Sequence, residues 1–126
     1  MHRDHKELKV LIGKTLASVE KISDDSGEDR IIFTTDDNVR YTMEHTQNCC
    51  ENVSIDDVCG DLNDLVGASL LIADESTNKD DPHSEYTDSH TWTFYRLATV
   101  KGYVCIKWYG SSNGYYSESV DFWTWV

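Results

Sequence analysis

The chain has 126 residues, enough for one domain and too few for two ordinary ones; a domain of that length buries roughly two-thirds of its unfolded surface, so one hydrophobic core is feasible. Asp and Glu number 23 against 11 Lys and Arg, a formal charge of −12, and because phosphate backbones are held by Lys and Arg, this balance argues against direct nucleic-acid binding. The amino-terminal residues are polar and no apolar run reaches the ~18 residues that cross a bilayer, so the expectation is a cytoplasmic protein without signal peptide or membrane span.

Residues 1–13 are charged and then briefly apolar at Leu8, Val10, Leu11 and Ile12, an N-terminal segment suited to one helical turn or to docking. Leu16 to Ile22 reads as a strand, and Ser23 to Glu28 as a turn in which Gly27 is free to take positive φ. Asp29 to Thr35 is β-branched and aromatic, a second strand. Asp36-Asp37-Asn38 makes a tight hairpin turn into Val39–His45, where Val39, Tyr41, Met43 and His45 share one face.

The period then changes. Ser54-Ile-Asp-Asp57 has the form of a capping box, and Ile55, Val58, Cys59, Leu62, Leu65 and Val66 fall at helical spacing. This predicts one short helical segment, continuous or divided at Gly60 into two short turns, ended by Gly67, with Asp56, Asp57, Asp61 and Asp64 off its apolar stripe. Leu70 to Asp74 is predicted as a strand. Residues 75–89 are polar and acidic and hold the only proline, Pro82, the composition of a mobile loop.

All but two of the 14 aromatics, Phe33 and Tyr41, lie from Tyr86 onward, so much of the core is expected there. Thr91–Thr99 and Tyr103–Tyr109 alternate as strands about Lys101-Gly102, with Val104, Ile106 and Trp108 on one face. Asn113-Gly114 is a hairpin signal leading to a third strand over Tyr115–Phe122. The resulting expectation is α+β: about six to seven antiparallel strands in hairpins and a C-terminal meander, with one short helical segment, in a single domain. Whether the strands form one curved sheet or two packed sheets is open at this level.

Four constellations could carry chemistry. His45, Cys49, Cys50 and Cys59 have the elements of a zinc site but lack its ligand spacing, so no metal or other cofactor is expected. Without a secretory signal the cysteines are expected as free thiols, with Cys50, Cys59 and Cys105 filling small apolar gaps. Cys49 or Cys50 beside His45 has the pairing of a thiol nucleophile, with no oxyanion site legible. The carboxylate pairs sit in turns or on a solvated face. Tyr109, Asn113, Tyr115 and Tyr116 flank a loop, and exposed aromatics beside small polar residues suit contact surfaces. Nucleotide-binding and hydrolase motifs are lacking, which weighs toward binding over catalysis.

Gly13-Lys14-Thr15-Leu16, His45-Thr46-Gln47-Asn48-Cys49-Cys50-Glu51, Ile55 to Gly67, Thr91-Trp-Thr-Phe-Tyr95 and Trp108 to Glu118 together resemble a family of small proteins common in tailed bacteriophages. The resemblance spans roughly residues 13–122, and Asn48 stands where that pattern has Asp. The family carries no assigned activity, so no catalytic residue transfers. The resemblance implies a phage accessory protein at work in an infected bacterial cell. Two binding readings follow. In the first, Asp56, Asp57, Asp61 and Asp64, with Tyr109, Asn113, Tyr115 and Tyr116, dock on a basic host defence or nucleic-acid-handling protein and imitate DNA phosphates. In the second, a pocket near His45, Cys49, Cys50 and Glu51 sequesters a small ligand such as a signalling nucleotide. A metal- or thiol-dependent enzyme is the third reading.

Overall fold

The computed structural model of the chain describes residues 2–25, 27–80, 89–114 and 116–126. They form nine strands: β1 (Arg3–His5), β2 (Leu16–Ser23), β3 (Asp29–Thr35), β4 (Arg40–Glu44), β5 (Asn52–Cys59), β6 (Ile72–Asp80), β7 (Ser89–Thr99), β8 (Gly102–Ser112) and β9 (Asp121–Trp125). Two short 3-10 turns, Leu8–Leu11 and Leu62–Leu65, are the helical elements among the described residues, none of which forms a helix long enough to cross a membrane.

The strands divide into two antiparallel sheets, one of five strands in the order β1-β9-β4-β3-β2 and one of four in the order β5-β8-β7-β6. The meander β2-β3-β4 follows from its local sequence. Thr35 accepts from the Val39 N–H at 3.0 Å and donates to Asp37, while Asn38 takes the positive φ of 68° that closes the hairpin. The predicted 23–28 turn forms as well, with Gly27 at φ +85° and the Glu28 N–H on Asp24 Oδ1.

Both sheets contribute to one core. Ile31, Phe33, Tyr41, Met43 and Phe122 enter it from the first sheet, Tyr95, Leu97, Val104, Ile106 and Trp108 from the second. Phe122 stacks on Tyr41 at 5.4 Å and meets Phe33 edge-on at 6.0 Å. Each such fully buried side chain contributes about 1.5–3 kcal/mol. Leu8 and Leu11 of the first 3-10 turn are buried in the same core, so the 1–13 segment does dock. Its strand β1 lies on β9, where the Arg3 guanidinium sits 4.3 Å over the Trp123 ring.

Four sequence expectations change. Nine strands are described where about six to seven were expected, because the first residues and residues 52–59 also pair as strands. The helical segment over 54–66 is instead strand β5 followed by the Leu62–Leu65 turn. Val53 and Ile55 face inward, opposite Gly110 and Trp108; a bulge at Asp56 then shifts the parity, and Val58 faces inward opposite Ile106. The three-residue step from Ile55 to Val58, which a helix would make with its turn, is made here by the extra residue of a bulge. Much of the 75–89 loop is also strand: Glu75–Asp80 completes β6 and Ser89 opens β7, while 81–88 lie outside the described residues. Finally, the third strand of the C-terminal meander is not next to β8. Strand β9 begins at Asp121 and crosses to the other sheet, between β4 and β1.

Glycine positions test this packing. Gly60 follows β5 at φ +100°, and a Cβ there would stand 2.4 Å from the Tyr103 carbonyl oxygen; Gly27, at φ +85°, has nothing within 4 Å of such an atom. Gly27→Ala therefore carries the left-handed backbone cost alone, about 1–2 kcal/mol. Gly60→Ala adds a backbone clash and is expected to cost more than Gly27→Ala by at least ~1 kcal/mol. Urea denaturation of the two variants checks the order.

Candidate functional site

The inner face of the second sheet changes character along its length. On β7 it reads Leu97, Tyr95, Thr93, Thr91, Ser89, apolar in the core and hydroxylic at the far end. On β6 the facing positions are Ala73, Glu75, Thr77 and Lys79. Over this hydroxylic end lies a cavity of about 540 Å³, lined by Glu75, Thr77 and Lys79 of β6, Thr91 and Thr93 of β7, and the segment 116–120 as its far wall. This explains why the Ile72–Asp74 start of β6 was legible as a strand and Glu75–Asp80 was not. Water lies on one side and a polar cavity on the other, so no hydrophobic alternation is required of it.

Glu118 is the buried polar group of that wall, 7% exposed. The register places Ser89 opposite Ser112 and Thr91 opposite Gly110, and the Glu118 carboxylate lies across this group of four. Thr91 donates to its Oε1 at 2.7 Å, Ser89 to the same oxygen at 3.4 Å, and Ser112 to Oε2 at 2.5 Å. Gly110 makes room for it, since a Cβ there would be 2.9 Å from the Glu118 Cβ. Beside it the buried Tyr95 phenol is pushed up, first by burial and then by the Glu75 carboxylate. It remains a hydrogen-bond donor at all ordinary pH.

The wall is held from behind by the 45–51 turn. Glu51 is buried (2% exposed), and its carboxylate accepts from the Cys49 N–H at 2.8 Å, the Asn48 N–H at 3.0 Å and the Gln47 amide at 3.3 Å. His45 Nε2 lies 2.8 Å from Glu51 Oε2, and His45 Nδ1 lies 2.6 Å from the Ser119 carbonyl oxygen. Both ring nitrogens face oxygen atoms, so the ring bridges Glu51 to Ser119. Thr46 adds a bond to Asp121 at 2.9 Å. The turn thus joins the 4-to-5 crossover between the sheets to the 8-to-9 crossover that returns.

The sequence candidates fall in different places. His45 and Glu51 come together, but with each other as partners and not as lining of the large cavity. A recess of about 370 Å³ beside them is edged by Gln47, Asn52 and Ser54. Cys49 and Cys50 are exposed, and their sulfurs are joined as a disulfide, which replaces the expected free thiols there. Cys59 and Cys105 are free and directly opposed across β5 and β8; Cys59 is exposed, so it fills no apolar gap. Among the described residues no three His, Cys, Asp or Glu side chains are grouped to hold a metal ion.

The four aspartates share no helix face. Asp56 sits at the bulge, 3.7 Å from Lys107 Nζ, and Asp57 accepts from the Cys59 thiol at 3.2 Å. Asp61 caps the second 3-10 turn through the Asn63 N–H at 2.9 Å, and the Asp64 carbonyl accepts from the Thr99 hydroxyl. Tyr109 lies on the outer face of the second sheet, 4.4 Å from the Trp92 ring and hydrogen-bonded to His90. Asn113 is exposed in the turn after β8, Tyr116 lines the cavity, and Tyr115 lies outside the described residues. Glu118, Ser89, Thr91 and Ser112 were missed as a group. The signal was the Ser89-x-Thr91-x-Thr93 run in phase with Tyr95 and Leu97, but only the register joins it to Glu118.

Fold and site together define a two-sheet antiparallel β domain with a polar cavity at the end where both inter-sheet crossovers meet. The chain belongs to the family described as Domain of unknown function (DUF7448), whose model matches residues 9–122. No curated protein and no solved structure matches it.

Glu51 supplies a test of the tie behind the wall. The Cys49 N–H chiefly holds its carboxyl down, from 4.5 to about 2, against the opposing effect of burial; its own backbone, His45 and Asn48 add to the lowering. A lowered folded value contributes stability that is present above the unfolded value and is lost as pH falls through the folded one. The stability difference between wild type and Glu51→Gln is therefore expected to be constant above pH 4.5 and to close between 4.5 and 2. Urea midpoints across that range check this; a pH-independent gap refutes it.

Proposed function

We propose that the protein is a small-ligand binding module whose site is the cavity under the β6-β7 edge. The observation that carries this reading is the Glu118 carboxylate, buried in the cavity wall and held in one orientation by three hydroxyl donors. Orienting polar groups of this kind is what a recognition site requires, and a volume of about 540 Å³ lies within the range of about 300–1,000 Å³ that small-molecule sites occupy. The wall is also pre-organised: His45, Thr46 and Tyr95 bond residues 119, 121 and 120 in turn, so little ordering remains for binding to impose.

In the setting the resemblance implies, the cytoplasm of a phage-infected bacterium, such a module would sequester a host metabolite. The other reading, an inhibitor that docks its acidic surface on a basic host protein, is favoured by the net charge of −12. Its four aspartates, however, are divided between a strand bulge and a 3-10 turn, and the Asp61 carboxylate is engaged in capping that turn.

An NMR titration of isotope-labelled protein with a panel of small polar metabolites tests the cavity. Saturable shifts are expected at Thr91, Thr93 and Ser117. Thr77→Trp, which fills the cavity from an exposed edge-strand position, is expected to remove them while the rest of the spectrum is retained. A ligand present at a hundred times its Kd should add about 2.7 kcal/mol to unfolding stability. Shifts that survive Thr77→Trp would put the ligand elsewhere.

A further inference from the structure

We infer that the ligand of this cavity is an organic cation, with a protonated amine seated against Glu118; the inference rests on the small-ligand reading above. Among the described residues two glutamates are buried, and they are treated differently. Glu51 has the His45 ring at 2.8 Å as well as its backbone donors. Glu118 is 7% exposed, yet among the described residues no Lys, Arg or His nitrogen lies within 4.0 Å of it, and its donors are the hydroxyls of Ser89, Thr91 and Ser112. Hydroxyls orient a carboxylate and satisfy its lone pairs but carry no countercharge. Burying a charge is costly unless it is both hydrogen-bonded and paired, and the side of Glu118 that faces the cavity is where a countercharge fits.

The remaining lining does not neutralise it. Among the described residues Glu75 and Lys79, both exposed on the edge strand, balance each other, so Glu118 leaves the cavity with a net charge of one carboxylate. The hydroxyls that line the cavity retain acceptor lone pairs after donating, which suits the three N–H donors of an ammonium. The Tyr116 ring in the wall adds an aromatic surface of the kind that attracts cations. The same lining repels phosphates and carboxylates, so a nucleotide is expected to bind worse than a neutral compound of its size.

Glucosamine, glucose and glucuronate present one sugar frame with positive, neutral and negative charge, and titration of the full chain with each, at mildly acidic pH and low salt, separates the outcomes. Glucosamine is expected to bind at least about tenfold tighter than glucose, as one well-placed charge contact predicts, and glucuronate more weakly than either. Added salt should narrow the gap. Glu118→Gln should bring the glucosamine-to-glucose ratio near unity. Because Glu118 is buried, a second variant at an exposed position accompanies it: Lys79→Glu should raise the ratio. Glucose or glucuronate binding as tightly as glucosamine overturns the cation assignment and leaves the small-ligand reading standing. Absence of cavity shifts with all three sugars, and with choline and spermidine as further cations, overturns both.

Discussion

A carboxylate taken fully out of water must find every hydrogen bond inside the protein, and Glu51 does so within seven residues of chain. Its partners are the backbone of Asn48 and Cys49, the Gln47 amide and the His45 ring, so the 45–51 turn closes around it. Glu51 directly precedes β5, and His45 directly follows β4. The turn is therefore the passage from one sheet to the other, and its geometry sets how β5 enters the second sheet. Through His45 Nδ1 the same constraint reaches Ser119, on the passage in the opposite direction. Beside this tie, the Thr46 hydroxyl on Asp121 is a second bond between the two crossovers at this end of the molecule.

The cavity depends on that tie. The inner faces of β7 and β8 pass from Leu97 and Val104 through Tyr95 and Trp108 to Ser89 and Ser112, so the sandwich is dry in the middle and polar at one end. The 116–120 wall closes over the polar end because Glu118 can approach the sheet where Gly110 carries no side chain and because Ser119 is held from behind. An apolar core and a polar cavity share one sheet face, separated by a change of residue type and not by a change of element.

The segments that first distinguished this chain, His45 to Glu51 and Ser112 to Glu118, meet here. Read separately, the first suggested thiol or metal chemistry and the second an exposed contact loop. In the fold one positions the other: the cysteines point outward, while His45 and Glu51 serve the wall that carries Glu118. The outer aromatic face, with Tyr109 on Trp92 and Lys107 4.5 Å over the Trp92 ring, is a separate surface on the other side of the same sheet.

The hairpins about Asp24–Glu28, Asp36–Asn38 and Lys101-Gly102 were legible because turn chemistry and period-2 alternation act over a few neighbouring residues. So was the core-facing row Val104, Ile106, Trp108. Three things escaped for physical reasons: the Asp56 bulge spaces Ile55 and Val58 as a helix would, β6 is polar on both faces from Glu75 onward, and β9 leaves its sequence neighbour to pair with β4. By itself the sequence determined an acidic, mostly antiparallel β domain, its local hairpins and its carboxylate excess. The division into two sheets, the Glu51–His45–Ser119 tie and the hydroxyl ring around Glu118 were decided by tertiary structure alone. Each depends on strand register and on contacts between residues distant in sequence, such as His45 and Ser119, 74 positions apart, which no local pattern specifies.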